Sequence, residues 1–490
     1  MNFRQGSTEA SELVIGLIGP IGCNRAHVIE TIGHLAKHYS YRSQTISVSK
    51  RIEANAKLPS HGDDQYIRVR NLIAAGNQLR CRTQDNSILA KLAAAEVARL
   101  RPKKGRKNIY VIDSIKHPAE VEELRNIYGS AFYLIAISSS QDRRKSFLNK
   151  QCHIEDADLI EELIKTDQGE AFNYGQSTSE AFHRADFFLN EDGDNTKTWN
   201  TLERFFDIIF GDPFKTPTFH EYSMHLAYAA SMRSADMSRQ VGAVLTHGTD
   251  VLATGANECP AAGGGTYWPQ YNRLNGKITD IPKGRDYMRG SDHNAHEKNQ
   301  IIKTLLTGLD KAAQKILNDN VAKSGLASIS EYGRVVHAEM DAILTCARRG
   351  LATAEASLFC TTFPCHNCAK HIVASGVRKV VYIEPYPKSR AFDMHFDSLR
   401  RPDEPEDNRT LFIPFVGVGP RQFVDLFSMS LSAGARVRRK ASDGVSIAQW
   451  KRKTALPRVK TLPIGYCENE ATVEKEASSL LDGIEPVVIA

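Results

Sequence analysis

Two short clusters of metal-binding residues constrain the fold of this chain more than any other feature. His337 and Glu339 stand at the start of one apolar-periodic segment, and Cys365 and Cys368 stand at the start of another. Each segment has the pattern of a helix, so these residues fall in the first turns of two predicted helices. One imidazole and two thiolates suit Zn²⁺ and leave its fourth tetrahedral position to water. The fold must therefore bring two helix N-termini together around one metal ion.

Glu339 has a different predicted role from its neighbour His337. It is a poor zinc ligand at that spacing, so we assign it the transfer of protons at the metal. Water on zinc has its pKa lowered from about 15.7 to about 7, and helix N-termini favour the thiolate form of cysteine ligands. The combination predicts a catalytic site with zinc as cofactor.

A lone Cys-x-x-Cys pair also occurs in structural zinc sites and in redox centres. Structural sites normally have four protein ligands, and this sequence has no second Cys-x-x-Cys pair. Cys346 and Cys360 are alternative fourth ligands, although neither has a recurrent ligand spacing. The joint pattern favours the catalytic site.

Composition excludes several classes of protein. The chain has 490 residues, 41% hydrophobic and 24% charged, which is typical of a soluble protein of two or three domains. It has no apolar run long enough for a membrane helix, and residues 1–10 lack the core of a signal peptide. The nine cysteines are not a disulfide framework, and the net charge of +6 does not by itself demand nucleic acid. We therefore expect a cytoplasmic enzyme without a membrane partner.

The first part of the chain alternates between strand and helix patterns. Strands are predicted at 12–18, 41–47, 108–113 and 132–137, and helices at 26–38, 64–79, 86–100 and 119–128. This alternation predicts a parallel sheet covered by helices. The predicted α/β domain spans residues 12–212 and follows a disordered N-terminus at 1–11. Between its first strand and helix lies a Gly-rich turn, the context in which backbone N–H groups bind phosphate.

Residues 12–210 resemble the P-loop nucleotide-kinase family. The resemblance rests on that turn, on the run 112–118 and on residues 142–144, where such kinases carry a lid. It implies nucleotide binding by Gly19, Gly22, Asn24 and Arg25. However, Arg25 replaces the usual lysine, and Ala26 lacks the hydroxyl that would hold Mg²⁺. We expect no phosphoryl transfer, and both nucleotide binding without turnover and a purely structural role remain open.

A segment containing Pro and Gly, residues 211–217, marks the predicted domain junction. Beyond it we predict a three-layer α/β/α core with a helix at 220–231, the two ligand-bearing helices, and strands at 240–245, 251–255, 358–361, 379–383 and 411–418. This domain spans 218–430. Residues 431–490 are basic and then acidic, and they are predicted to be either a solvated tail or a nucleic-acid contact around Trp450.

Residues 220–400 resemble the deoxycytidylate deaminase branch of the cytidine deaminase superfamily. The matching stretches are Arg239–Val244, Thr254–Asn257, His337–Glu339 and Thr361–Cys368. The order of a kinase-like domain followed by a deaminase is similar to two-domain bacterial anti-phage dCTP/dCMP deaminases. The resemblance implies hydrolytic deamination of free deoxycytidine nucleotides, which would deplete the dCTP pool in anti-phage defence. It further implies that Asn257 contacts the sugar or base, although a turn residue is the alternative.

The same resemblance suggests a homo-oligomer, with a nucleotide effector and an inhibitory RNA as candidate partners. Two functions from other classes are weighed against it. A nucleic-acid-editing cytosine or adenine deaminase would share the zinc chemistry, but the core lacks a dense groove of basic and aromatic residues. A nucleotide sensor without activity would not need the proton carrier Glu339.

A long insert, residues 258–334, separates the predicted hairpin from the His337 helix. It is turn-rich and basic, and we assign Arg285 and Arg289 to the phosphate of the substrate, with a solvated loop as the alternative. A single helix is predicted at 298–317. His293 and His296, with Glu297, are either a second metal site or surface histidines.

Overall fold

The computed structural model describes residues 12–59, 62, 64–102, 107–170, 172–323, 332–384, 389–430, 436–459, 461, 463–482 and 487–489. The predicted disordered N-terminus lies outside these residues. The described residues divide into two compact units. The first unit comprises those within Met1–Glu221, Glu384–Pro387 and Pro414–Ala490, and the second unit comprises those within Tyr222–Ile383 and Lys388–Ile413. None of the helices in the described ranges combines the length and the hydropathy needed to span a membrane.

Strands and helices alternate through the first part of the chain. In chain order they are β1 (Leu13–Ile18), α1 (Arg25–His38), β2 (Arg42–Ser47), α2 (Val48–Asn55), β3 (Ala56–Lys57), α3 (Gln65–Thr83), α4 (Ile88–Leu100), β4 (Asn108–Ile115), α5 (Pro118–Tyr128), β5 (Phe132–Ser138), α6 (Gln141–Lys150), α7 (Ala157–Gln168), α8 (Thr178–Phe182), β6 (Phe187–Asn190) and α9 (Asn195–Ile209).

The remaining elements include the predicted ligand-bearing helices. They are α10 (Phe219–Ser231), β7 (Gly242–His247), β8 (Asp250–Ala256), β9 (Gln270–Tyr271), β10 (Ile278–Thr279), α11 (His293–Leu306), α12 (Lys311–Lys323), α13 (Ala338–Arg349), β11 (Ser357–Cys360), α14 (His366–Ala374), β12 (Lys379–Tyr382), α15 (Ala391–Met394), β13 (Leu399–Arg400), β14 (Thr410–Pro414), β15 (Gly417–Val418), α16 (Phe423–Phe427), α17 (Pro463–Leu481) and β16 (Val487–Val488).

The first unit is built on a six-stranded sheet with the order β15-β6-β5-β1-β4-β2. β1 pairs in parallel with β4 and β5, β2 pairs in parallel with β4, and β5 pairs in parallel with β6. Only β15 runs antiparallel, against β6. Every residue of β1 and β5 is buried, as expected of a parallel sheet covered by helices. The predicted α/β architecture is confirmed for this part of the chain.

Polar residues fix where the helices of the first unit begin. The Asn24 side chain accepts a hydrogen bond from His27 N and starts α1, and Asp64 accepts one from Ile67 N and starts α3. Such caps satisfy N–H groups that have no partner within the helix. α3 therefore begins directly after Asp64, the residue at which its start was predicted.

The second unit contains a six-stranded mixed sheet with the order β13-β14-β12-β11-β7-β8. A β-carbon on Gly242 would lie 1.8 Å from the carbonyl oxygen of Ala227 in α10, and one on Gly255 would lie 2.1 Å from that of Ala338 in α13. Gly242 pairs with Ala256, one position beyond Gly255, so the two glycines face opposite sides of the sheet. α10 therefore packs on one face and α13 on the other.

Two predicted elements are each divided in two. The strand predicted at 411–418 consists of β14 in one sheet and β15 in the other, and Phe415 and Val416 between them belong to neither strand. The helix predicted at 298–317 consists of α11 and α12, which are separated around Gly308, whose φ is 80°. Both single-element predictions are wrong: a glycine in a left-handed conformation interrupts the helix, and the two parts of the strand pair in different sheets.

The described residues of 431–490 pack into the first unit, so they do not behave as a solvated tail. Trp450 Nε1 donates to the carbonyl of Phe210, and Arg452 forms ion pairs with Glu203 and Asp207 at 2.7 and 2.8 Å. α17 contacts α4 and α5. Residues 414–430 also belong to the first unit, whereas the sequence had assigned them to the second domain. Contacts this distant in sequence leave no local pattern.

Candidate zinc centre

His337 is held in place immediately before α13. The residues before it form a β-bridge in which Val336 exchanges two backbone hydrogen bonds with Glu258. His337 is the N-cap of α13, but its side chain makes no capping hydrogen bond. The imidazole is therefore free to point its Nδ1 atom toward the two cysteines.

Cys365 and Cys368 occupy the corresponding position at the start of α14. Cys365 is the N-cap residue, and its Sγ accepts a hydrogen bond from Cys368 N at 3.4 Å. The hydrogen bond from the Cys368 thiol lowers the pKa of Cys365 to about 3. The N-terminus of a helix also favours an anion. Cys365 is thus a thiolate at neutral pH, as a metal ligand must be.

The three side chains form a group with the dimensions of a zinc site. His337 Nδ1 lies 3.4 Å from Cys365 Sγ and 3.3 Å from Cys368 Sγ. Zinc bonds of about 2.3 Å to sulfur and 2.0–2.1 Å to nitrogen, at a tetrahedral angle, separate the two ligand atoms by about 3.6 Å. Nitrogen and sulfur donors are those that zinc prefers, so the residues fit this metal. Zinc binding would displace the protons shared within the group.

The group contains three protein ligands in the described residues, and neither Cys346 nor Cys360 belongs to it. A structural zinc site normally has four. The arrangement therefore favours a catalytic centre with one position open to water over the structural site considered from sequence.

Glu339 lies in the first turn of α13 and is 3% exposed. Burial raises the pKa of its carboxyl above the ordinary value of 4.5. A carboxyl with a raised pKa accepts and releases protons closer to neutral pH than an exposed one does. This environment suits the proton-carrying role predicted for Glu339.

Contacts with β8 fix the start of α13. Asp341, one turn into the helix, accepts hydrogen bonds from Ala256 N at 3.2 Å and from Arg233 at 2.6 Å. Gly255 allows the close approach, because a β-carbon at this position would collide with Ala338. These contacts hold His337 and Glu339 in a constant relation to the sheet.

Comparisons with known proteins agree with this geometry. Residues 217–384 match the family described as the cytidine and deoxycytidylate deaminase zinc-binding region. The deoxycytidylate deaminase of Enterobacteria phage T2 is 31% identical over 169 residues, which are 34% of this chain and 80% of that protein. The chain belongs to the cytidine and deoxycytidylate deaminase family. It is accordingly a zinc-dependent deaminase, a hydrolase of carbon–nitrogen bonds in cyclic amidines.

Two further relatives of this deaminase match a similar length of the chain. The deoxycytidylate deaminase of Enterobacteria phage T4 is 31% identical over 169 residues, or 34% of this chain and 78% of that protein. That of Mycobacterium phage D29 is 30% identical over 167 residues, or 34% of this chain and 94% of that protein. The similarity thus spans most of a relative but about a third of the present chain.

Asn257 of the deaminase is buried beside the start of β7. Its Oδ1 accepts a hydrogen bond from Val241 N at 2.7 Å, and its Nδ2 donates to the carbonyl of Arg239 at 2.8 Å. The amide thus positions the segment 239–241. Its contact with substrate stays a prediction.

The two arginines assigned to the substrate phosphate differ in their surroundings. Arg285 is 5% exposed, lies 3.3 Å from Glu258 and 3.5 Å from Asp280, and donates to the carbonyl of Tyr267. Arg289 is exposed and donates to the carbonyl of Lys283. Arg285 therefore anchors the insert, since its charge is already matched by carboxylates. His293 and His296 start α11, and with Glu297 they form no ligand group among the residues that the structure describes.

The Gly-rich turn of the first unit is occupied by the protein's own side chains. Asp167 of α7 accepts a hydrogen bond from Ile21 N at 2.8 Å and lies 2.6 Å from the ammonium of Lys116. Lys116 also donates to the carbonyl of Gly19 at 2.8 Å, and Arg25 pairs with Asp113 at 2.8 Å.

Each of the four residues predicted to bind nucleotide has a structural contact in this turn. Gly22 has a φ of 87°, and a β-carbon there would lie 2.7 Å from the Arg144 carbonyl oxygen, while Asn24 caps α1. Gly19 and Arg25 make the contacts described above. Nucleotide binding by these residues stays a prediction. Sequence reasoning missed Lys116 and Asp167, which are 51 residues apart and carry no shared motif.

Proposed function

We propose that this enzyme converts a free deoxycytidine nucleotide, dCMP or dCTP, into the corresponding deoxyuridine nucleotide and ammonia. The observation that carries the proposal is the zinc-ligand group with buried Glu339 beside it. The similarity to phage deoxycytidylate deaminases over most of their length supports the choice of substrate class.

The chemistry needs one water and one proton carrier. Zinc, when bound by His337, Cys365 and Cys368, supplies a Lewis acid that lowers the pKa of a water in its open position. Glu339 accepts a proton from the attacking water as the water oxygen bonds to C4 of the cytosine ring, and it passes this proton to N3. Glu339 then assists transfer of the second water proton to the amino group, which leaves as ammonia. The C4–N bond is replaced by a C4–O bond, and no oxidant or reductant is consumed.

The test is ammonia release by the zinc-loaded full chain. The substrates are deoxycytidine, dCMP, dCTP, CMP and a single-stranded oligonucleotide containing cytosine, with Glu339→Gln as the inactive control. We expect turnover of dCMP or dCTP to exceed that of the oligonucleotide. Deamination of the oligonucleotide alone would instead establish the editing deaminase considered from sequence.

We further propose that the first unit does not transfer phosphate. The Asp167 carboxylate takes the place that an anion would need at the Gly-rich turn, and Lys116 and Arg25 are both neutralised by acids. Phosphoryl transfer depends on positioning the phosphate and neutralising its charge. Ala26 has no hydroxyl to hold Mg²⁺, and the charges of Lys116 and Arg25 are already matched by Asp167 and Asp113. A regulatory role for this unit rests on its resemblance to nucleotide kinases.

Two assays with the full chain test these statements. Steady hydrolysis of ATP or GTP that disappears in Arg25→Ala would contradict the absence of phosphoryl transfer. The deaminase rate, measured with and without added ATP, GTP and dTTP, tests regulation. A rate that no nucleotide changes would leave the first unit without a nucleotide-dependent role in this reaction.

The cellular role proposed from the two-domain order is depletion of dCTP during phage infection. Cells that express this chain should hold less dCTP after infection and yield fewer phage than cells that express Glu339→Gln. Equal dCTP levels and phage yields would contradict this role. The homo-oligomer and the inhibitory RNA remain predictions.

A further inference from the structure

The main chain of the zinc ligand His337 is held on both of its sides. Val336, the residue before it, donates to the carbonyl of Glu258 at 3.0 Å and accepts from the N–H of Glu258 at 3.1 Å. On the other side, the carbonyl of His337 accepts from Asp341 N at 2.8 Å, which is the first hydrogen bond of α13. The position of this ligand therefore depends on the β-bridge as well as on the helix.

The imidazole of His337 has little support of its own. Its Nδ1 atom faces the two cysteine ligands, and the side chain makes no capping hydrogen bond. Within the described ranges no protein group is hydrogen-bonded to Nε2 of His337. Histidines that bind metals usually donate this second ring N–H to a carboxylate or a carbonyl, which orients the ring. Here the backbone must place the ring instead.

The side chain of Glu258 fixes the other strand of the bridge. Glu258 is 1% exposed, and its carboxylate accepts from Ala235 N at 3.0 Å and from Cys259 N at 2.8 Å. Arg285 supplies the matching charge, with its Nε atom 3.3 Å from that carboxylate. Without this cation a buried charge would be left uncompensated, so Glu258 depends on Arg285 to keep its position.

The segment that carries Arg285 also contacts the strand that leads to His337. Arg334, just before the bridge, donates to the carbonyl of Gly284 at 3.2 Å and pairs with Asp286. Gly284, Arg285 and Asp286 are consecutive in the chain. One short segment of the insert thus contacts both strands of the bridge, and it does so immediately before the metal ligand.

We propose that Arg285 is a positioning residue for zinc binding. Through the bridge between Glu258 and Val336 it fixes the backbone of His337 where the imidazole meets the two cysteine ligands. Partners that lie behind the ligands of a metal site commonly change metal affinity by about 10- to 100-fold. In this role Arg285 contacts neither the metal nor the substrate, in contrast to the phosphate contact assigned to it from sequence. The inference concerns the metal centre and does not depend on which nucleotide is deaminated.

The experiment compares Arg285→Ala and Arg285→Lys with the unmodified full chain. Zinc affinity is measured by competition with a chelator, and ligand geometry by the visible absorption of the Co²⁺-substituted protein. We expect Arg285→Ala to raise the Kd for zinc by about 10- to 100-fold and to change the Co²⁺ spectrum. Lysine keeps a charge opposite Glu258, so Arg285→Lys should restore part of the affinity.

Arg409→Ala is the matched control for these measurements. Like Arg285, Arg409 lies close to two acids, Glu404 and Asp407, each at 2.7 Å, and it donates to a backbone carbonyl. It precedes β14, which lies toward the opposite edge of the sheet from β8. Its loss should leave zinc affinity and the Co²⁺ spectrum unchanged. Equal effects of Arg285→Ala and Arg409→Ala would overturn the proposal, because a general loss of stability would then explain both.

Kinetics with zinc in excess separate positioning from a phosphate contact. A misplaced ligand should lower kcat for dCMP and leave KM unchanged. A raised KM for dCMP together with unchanged zinc affinity would overturn the proposal in favour of the phosphate contact. If the protein deaminates no nucleotide at all, the proposed reaction fails, but the two metal measurements still decide the role of Arg285.

Glu258→Gln provides the same test in a milder form if Arg285→Ala does not fold. Glutamine keeps the shape of the side chain and the backbone bridge to Val336, but it removes the charge that Arg285 matches. Zinc binding should weaken in this variant as well. Zinc affinity and a Co²⁺ spectrum equal to those of the unmodified chain, in either variant, would overturn the proposal.

Discussion

Replacing Asp167 by Asn should destabilise the first unit strongly. The Asp167 side chain is buried, and it accepts from Lys116 Nζ at 2.6 Å and from Ile21 N at 2.8 Å. Asparagine keeps the shape of the side chain but removes the counter-ion of Lys116. Lys116 is 8% exposed, so water cannot replace this counter-ion. Removing one partner of a buried ion pair costs about 3–5 kcal/mol. We expect a loss in this range in the free energy of unfolding of the first unit.

The loss should depend on pH. Burial lowers the pKa of Lys116 from its ordinary value of 10.5. Without Asp167 the pKa of Lys116 in the folded state falls further, so the folded variant holds this proton less tightly than the unmodified fold does. The free energy of unfolding that Asp167→Asn loses relative to the unmodified protein should therefore be larger at about pH 6 than at about pH 9.

Urea unfolding followed by tryptophan fluorescence measures this effect. The chain has three tryptophans, and a Trp268→Phe background leaves Trp199 and Trp450, which both belong to the first unit. Glu476→Gln is the matched control, because it removes an ion pair with Lys91 in which Glu476 is half-exposed, a change worth about 1 kcal/mol or less.

The double variant Lys116→Met/Asp167→Asn should be more stable than Asp167→Asn alone, since it leaves no buried charge unpaired. A loss for Asp167→Asn no larger than that for Glu476→Gln would refute the reasoning.

Three further predictions concern the two units separately. Glu339→Gln should retain zinc, but its kcat should fall by about 10²–10⁴-fold because the proton carrier is lost. Cys365→Ala should lose zinc itself. Metal analysis alongside the ammonia assay distinguishes the two outcomes. Gly255→Ala should lower both zinc occupancy and melting temperature, because the added methyl group meets the backbone of Ala338; an unchanged melting curve would show that the strand adapts. Burial opposes ionisation of Asp207, but hydrogen bonds from Arg452 and other donors outweigh it and hold the pKa of this carboxyl below its ordinary value of 3.8. The ionised carboxylate therefore stabilises the fold above pH 3.8, and this stabilisation is lost as the pH falls further. Acid unfolding monitored by Trp450 fluorescence should therefore begin at higher pH in Asp207→Asn, and coincident curves would contradict this.

Features that depend on neighbours in sequence were predictable. The buried run of β1 followed by glycines and a helical pattern predicted the first βα unit, because strand, turn and helix are each encoded locally. The zinc site was predictable for the same reason. The spacing of His337 to Glu339 and that of Cys365 to Cys368 each place two side chains at the start of one helix. The metal then requires the two helix starts to converge.

Features that depend on distant partners were not predictable. A basic, Gly-rich insert led us to assign Arg285 to the substrate phosphate, and its burial against Glu258 and Asp280 could not be seen in the sequence. The basic run around Trp450 likewise suggested a tail, but Arg452 pairs with acids on α9, more than two hundred residues earlier. Charge composition does not reveal whether a cation already has a partner within the fold.

The return of the chain to the first unit has a consequence during synthesis. The ribosome makes β1 to α9 first, yet the edge strand β15 and the covering helix α17 emerge only after the whole second unit. At about 5–20 residues per second, the nascent first unit waits for tens of seconds with the surfaces of α4 and α5 that receive α17 uncovered. We therefore expect the first unit, whose synthesis begins first, to finish folding last. Chains released before α17 is made should depend on chaperones, although their deaminase domain already holds its metal.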